Sequence, residues 1–228
     1  MIPFSKNTIA TAIAILFHSV GLVGMLYFKS NAIVNATPIH LLLMAALLIY
    51  TQPQKNRWFL IFFLACFVLG LLAEYIGIST AMLFGQYQYG RVLGPAVGNV
   101  PLIIGINWFI IIYCCGVCMH LLMHRLKRAL DATTPMPAKK MLQLSMIIDG
   151  ATLAVFIDWL MEPVAIKLGY WSWAGNAMPP LYNYFCWFVL SALLLYLFYR
   201  LPFARHNKFA LHLLMIQAMF FLLLRTFL

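Results

Sequence analysis

The chain has 228 residues, of which 64% are hydrophobic and 9% charged, whereas a water-soluble domain is nearer half apolar and a quarter charged. That composition rules out a soluble globular protein and predicts one transmembrane domain over residues 1–228. The formal charge of +10 implies no nucleic-acid partner, because the Lys and Arg residues sit in short connections between apolar runs, where they act as topology signals.

The first apolar run, 8–28, is longer than a signal-peptide core and lacks a small-residue cleavage site, so it is predicted to remain as a helix. A second, 33–50, carries Asn35, Thr37, Pro38 and His40 in its first turns, which predicts a helix that starts late, tilts or is half-buried. Further helices are predicted at 58–78, 101–123, 144–166, 181–201 and 208–227, each near the length one bilayer crossing needs. The expected fold is therefore all-α, a polytopic transmembrane helical bundle of about seven helices. All five cysteines (Cys66, Cys114, Cys115, Cys118, Cys186) fall inside these runs, so no disulfide framework is expected.

Alternating the connections puts eleven Lys and Arg on the side of the N-terminus and four (Lys29, Arg91, Lys167, Arg225) on the other. That bias predicts a cytoplasmic N-terminus and an outward C-terminus; the location expected for the chain is a bacterial inner membrane. It also brings the connections 79–100 and 167–180 to one outer face. Both are rich in Gly, Pro and aromatic residues, and they are expected to fold back into the bundle.

Of the five acids, Asp131 lies in a polar connection, while Glu74, Asp149, Asp158 and Glu162 lie within predicted helices. An ionisable group at membrane depth costs a few kcal/mol, so it normally faces a bundle interior or a watery cavity and marks a functional site. The topology places Glu74, Asp158 and Glu162 toward the outer ends of their helices, where they can share a pocket. Asp158 and Glu162 are one turn apart on one face, and Asp149 lies on the opposite face, outside that pocket. The plainer reading is that these acids pair with cations, for which Arg91 is the best-placed partner of Glu74 or Glu162.

Five of the six Trp (Trp108, Trp159, Trp171, Trp173, Trp187) fall in the outer half, with Tyr87, Tyr89, Tyr170, Tyr182 and Tyr184 near them. An interfacial aromatic belt would populate both sides; rings as deep as Trp108 and Trp187 suit a pocket for a polyene or a cation. His120 and His124 share a helix face, but two ligands at an Arg-rich helix end read as interfacial cations, so no metal is expected. A retinal-type Schiff base needs a buried Lys, and every Lys lies at a boundary or in a connection. Asp158 and Glu162 faintly resemble the acid spacing of membrane prenyltransferases, which hold Mg²⁺ and a diphosphate, but the second acid-rich motif of those enzymes is missing.

Two blocks of residues resemble a known family. The first runs Glu74-Tyr75-Ile76-Gly77, Phe84-Gly85-Gln86-Tyr87-Gln88-Tyr89, Leu93-Gly94-Pro95, Val100-Pro101 and Asn107-Trp108. The second runs Asp158, Glu162-Pro163-Val164-Ala165, Gly169-Tyr170-Trp171-Ser172-Trp173, Pro180, Asn183 and Trp187. Together they resemble the carotenoid biosynthesis membrane family that includes carotenoid 1,2-hydratases and bisanhydrobacterioruberin hydratase. Many members have Asp before the Pro where this chain has Glu162, which keeps the carboxyl and lengthens its reach by one methylene.

The resemblance implies a hydro-lyase that adds water to the terminal double bond of an acyclic carotenoid such as lycopene, giving a tertiary alcohol without a cofactor. Its partners would be a carotenoid entering from the bilayer, water, and neighbouring carotenoid enzymes. Protonating such an alkene takes a desolvated acid and creates a tertiary carbocation that must be stabilised until water attacks. In this reading Asp158 is the acid, Glu162 or Glu74 the base, and Asn183 or a tyrosine orients the water. Trp108, Trp171 and Trp187 flank the cation, with Tyr87, Tyr89 and Trp173 also at the substrate. The alternatives are a lycopene cyclase-like isomerase, in which a neighbouring alkene captures the same cation, and a proton-coupled transporter or carotenoid-binding membrane protein, in which the acids form a relay.

Overall fold

A computed structural model describes residues 5–129, 138–176 and 178–228; the polar connection holding Asp131 lies outside them. Among the described residues there are eight helices: α1 (Lys6–Leu26), α2 (Asn31–Asn35), α3 (Thr37–Thr51), α4 (Arg57–Thr80), α5 (Ile103–Ala129), α6 (Lys139–Lys167), α7 (Leu181–Arg200) and α8 (Lys208–Phe227). Six of them, all but α2 and α3, are long and apolar enough to cross a membrane. Large apolar side chains on their outer faces, such as Leu16, Leu64, Phe156, Leu193 and Met215, are exposed, as expected where the surrounding solvent is lipid. This is an all-α membrane bundle.

The helix expected at 33–50 is two pieces, broken at Ala36. Pro38 sits in the first turn of α3, where its missing N–H costs nothing but where it opens a new helix more readily than it continues an old one. At 15 residues, α3 is about 22 Å long. It still passes between the two ends of the bundle: Thr37 Oγ1 is 2.6 Å from the Tyr170 hydroxyl at one end, and the Gln52 amide donates to the Ala204 carbonyl at the other, at 2.9 Å. Two other boundaries differ from expectation. The helix expected from 101 starts at Ile103, because Val100–Pro101 forms a strand, and the one expected from 144 starts at Lys139.

Helix α5 is the axis. Every residue from Asn107 to Val117 is buried, the pattern of a helix that is apolar all round and enclosed by others. Helices α1 and α8 start together, with the Phe209 amide donating to Asn7 Oδ1 at 3.1 Å and Thr11 Oγ1 2.8 Å from His212 Nδ1. They therefore run parallel, and Lys6 and Arg225 lie at opposite ends.

The two aromatic-rich connections do fold back, as short antiparallel ribbons. Strand β1 (Tyr87–Tyr89) pairs with β4 (Trp171–Trp173) in the register Tyr87 with Trp173 and Tyr89 with Trp171. Opposed residues share a face, so both Tyr and both Trp point one way, and Gln88 and Ser172 the other. The ribbon closes tightly: the Gly90 amide donates to the Tyr170 carbonyl at 2.8 Å, and a Cβ on Gly90 would lie 2.0 Å from the Gly169 carbonyl oxygen. Strands β2 (Ala96–Val97) and β3 (Val100–Pro101) form a hairpin whose turn residues Gly98 and Asn99 have φ of 58° and 65°, the left-handed pair that a two-residue hairpin favours.

Candidate active site

Four antiparallel helices bring their ends together beneath the β1–β4 ribbon. Glu74 lies in the last two turns of α4, Asn107 and Trp108 near the start of α5, Asp158 and Glu162 in the outer half of α6, and Asn183 and Trp187 at the start of α7. Glu74, Asp158 and Glu162 are 4%, 1% and 3% exposed. All ten residues singled out in the sequence line one small cavity: the three acids, Tyr87, Tyr89, Trp108, Trp171, Trp173, Asn183 and Trp187.

Small residues let large donors approach Glu74. Gly70 and Gly77 lie one turn before and after it on the same face, and a Cβ at Gly70 would meet the Trp108 ring at 2.6 Å, while one at Gly77 would meet the Tyr87 hydroxyl at 2.9 Å. The Trp108 indole donates to Glu74 Oε1 at 3.1 Å. Tyr87 donates to Oε2, as does Tyr89 at 2.9 Å. Burial of their hydroxyls and the nearness of Glu74 hold both phenols well above their ordinary value.

Glu162 is held from the other strand. The Trp171 and Trp173 indoles donate to its Oε2 at 2.9 and 3.1 Å, and the Asn183 amide approaches Oε1 at 3.4 Å. The same amide nitrogen donates to Asp158 Oδ2 at 3.1 Å, so Asn183 bridges the two α6 acids. Asp158 Oδ1 is buried with no hydrogen-bond partner among the described residues. The ribbon thus clamps two helices, its tyrosines on Glu74 of α4 and its tryptophans on Glu162 of α6.

Among the described residues every donor to these carboxyls is neutral, a phenol, an indole or an amide. Arg91, expected as the neutralising partner, is exposed; the chain is pinned at Gly90 just before it, which leaves Arg91 beyond the ribbon. A hydrogen bond to a charged group contributes about 1.5–3 kcal/mol, so three donors offset much of the cost of burying Glu74. Asp158 has the poorest set of the three.

The aromatic residues divide. Trp108 and Trp187 stack with centroids 4.0 Å apart and planes 17° from parallel, and both form part of the cavity wall. Trp159 instead faces outward at 43% exposure, under the Arg225 guanidinium 3.7 Å from its ring. Tyr170 is taken up by Thr37, and the exposed Tyr182 donates to the Met82 carbonyl at 2.9 Å. Asp149 is exposed and bonded to Ser145 at 2.9 Å, away from the cluster. Phe84, Ile104, Asn107 and Met161 also line the cavity and were not singled out, although Phe84 and Asn107 belong to the recognised blocks and Met161 sits one turn from Asp158.

Fold and site together define a polytopic membrane protein built around a buried carboxyl cluster. Residues 35–228 match the family described as carotenoid biosynthesis protein, and the chain belongs to that family. Its role therefore lies in carotenoid biosynthesis. Comparison with curated proteins and with solved structures gave no match.

Proposed function

We propose that the protein is a carotenoid hydratase, adding water across the terminal 1,2 double bond of an acyclic end group to give a tertiary alcohol. The observation that carries this is Asp158: it lines the cavity and its buried Oδ1 has no hydrogen-bond partner among the described residues, while its neighbour Glu162 accepts three hydrogen bonds. Two carboxyls in one dry site share a proton, and it resides on the member less well solvated as an anion. That member is Asp158.

Asp158 delivers its proton to the less substituted alkene carbon, leaving a tertiary carbocation against the Trp108–Trp187 wall, whose π faces attract positive charge. Water adds to the cation and loses its proton to Glu162, and the proton passes back to Asp158 to close the cycle. No electrons leave the substrate, so the chemistry needs no redox partner. The cavity supports the water step: at about 30 Å³ it exceeds the space one water requires, and it is ringed by polar donors. The apolar end group enters from the bilayer.

The test is expression in a lycopene-producing bacterium followed by pigment analysis, and incubation of the purified protein with lycopene or gamma-carotene. A product heavier by one water is expected. Asp158→Asn should lower product at least a hundredfold, the usual contribution of a general acid, with the protein still extractable in folded form. Full activity in that variant removes Asp158 from the acid role. A product of unchanged mass assigns the cation to cyclisation, and bound but unaltered pigment assigns the chain to carriage.

A further inference from the structure

A second cavity touches α6 at Val164, on the side of that helix turned away from Asp158 and Glu162. It has a volume of about 260 Å³ and is walled by α1, α2–α3, α6 and α8. Its rim residues Phe17, Val20 and Ile39 are 45%, 53% and 71% exposed, so it opens where lipid surrounds the bundle. No charged side chain lines it, which excludes a phosphate headgroup as its occupant. A purely apolar occupant does not fit either. Gln217, the one amide in the wall, is 5% exposed, and its Oε1 is buried with no hydrogen-bond partner among the described residues. An acceptor left unmet in a buried site costs about 1–3 kcal/mol.

Two histidines in the wall point the same way. His18 Nδ1 lies 2.8 Å from the Ala14 carbonyl, so Nδ1 carries the hydrogen and Nε2 is left as an acceptor. Its contact with His40 Nε2 is long, at 3.4 Å. The lining thus sets the Gln217 amide and two histidines in a mostly apolar slot. Thr37 and Tyr170, which also line it, are bonded to each other.

We propose that this cavity is a second ligand site, taking an apolar chain that ends in a hydroxyl group, with the hydroxyl hydrogen-bonded to the Gln217 amide. The chain is an isoprenoid one; that choice rests on the carotenoid reading above, whereas the hydroxyl follows from Gln217 itself. The site suits the alcohol product, or an end group already hydrated, held while another end group occupies the carboxyl cluster.

Binding of three probes to the full-length protein in nanodiscs tests this without turnover: geranylgeraniol, its saturated hydrocarbon counterpart phytane, and straight-chain 1-eicosanol. Geranylgeraniol is expected to bind best, about tenfold tighter than phytane, the factor one hydrogen bond supplies. Gln217→Leu should erase that preference while its thermal midpoint holds or rises, since it removes an unmet polar group. Equal binding of alcohol and hydrocarbon, or unchanged preference in Gln217→Leu, overturns the hydroxyl assignment; eicosanol binding as tightly as geranylgeraniol overturns the isoprenoid one. Binding is read here without turnover and hydration by pigment analysis, so failure of the hydratase reading and failure of this site are separately visible.

Discussion

The indole and phenol donors decide how the acids behave, and they make two predictions. Trp171 and Trp173 both donate to Glu162 Oε2, so Trp171→Phe leaves that oxygen one donor, with Asn183 on Oε1, and should cost about 1–3 kcal/mol of stability. It should also slow product formation, because Glu162 then competes with Asp158 for the shared proton. Thermal melts together with pigment yield check this, and an unchanged yield would show that Glu162 does not depend on its indoles. The phenols of Tyr87 and Tyr89 are raised by burial and by Glu74, so the folded state keeps their protons where the unfolded chain loses them, above about pH 10. The stability they supply is complete below that value and falls as pH rises past it. Alkaline titration of tyrosinate absorbance should show these phenols ionising only with unfolding. The acids were readable in the sequence because a carboxyl in an apolar run is costly and needs a reason. Gln217 gave the same signal more faintly, one amide in the apolar run of α8, and went unread because a neutral amide costs less.

Secondary-structure elements show where one residue's defect becomes another's partner. Pro163 lies inside α6 and has no N–H to offer the carbonyl four residues back, that of Trp159. Arg225 of α8 donates to that carbonyl at 2.6 Å, tying the last helix to the one that carries Asp158 and Glu162. Arg225→Leu should therefore destabilise the protein by about 1 kcal/mol, as an unmet carbonyl at this depth has no water to turn to. In a Pro163→Ala background, where the helix can close its own bond, the loss should shrink toward zero. A double-mutant cycle on thermal stability measures the coupling; equal losses in both backgrounds would refute it. The long helices were evident from their apolar length. The ribbon was not, since Tyr-Gln-Tyr and Trp-Ser-Trp are three residues each and far apart in the chain. Their alternation of aromatic and polar residues was a strand signal, but only the packing of α4 against α6 reveals which strand meets which.

The bundle is polarised from end to end. One end carries the acids, the ribbons and four Lys and Arg; the other carries eleven, with a buried polar knot in which Asn207 Nδ2 reaches Leu48 O at 3.2 Å and Thr51 Oγ1 at 3.0 Å. Because α1 and α8 run parallel, the chain makes an odd number of passages, counting α2–α3 as one. The charge bias then predicts that alkaline phosphatase fused at Leu228 is active in the bacterial periplasm, while a fusion at Ala204 is inactive. Activity at both positions would mean that α8 does not cross. This polarity was anticipated from the charges alone, because positive residues at helix ends respond to the membrane rather than to packing. Which side chains the folded ends bring into contact depends on the close approaches at Gly70, Gly77 and Gly90, and those appear only once the helices are placed.

Four of the six tryptophans, Trp108, Trp171, Trp173 and Trp187, surround the three carboxyls. A conjugated polyene touching them would drain their emission by energy transfer, so the intrinsic fluorescence of the protein is a built-in gauge of occupancy. Titrating pigment into it would follow arrival and departure in real time, without a label and even in a catalytically silent variant.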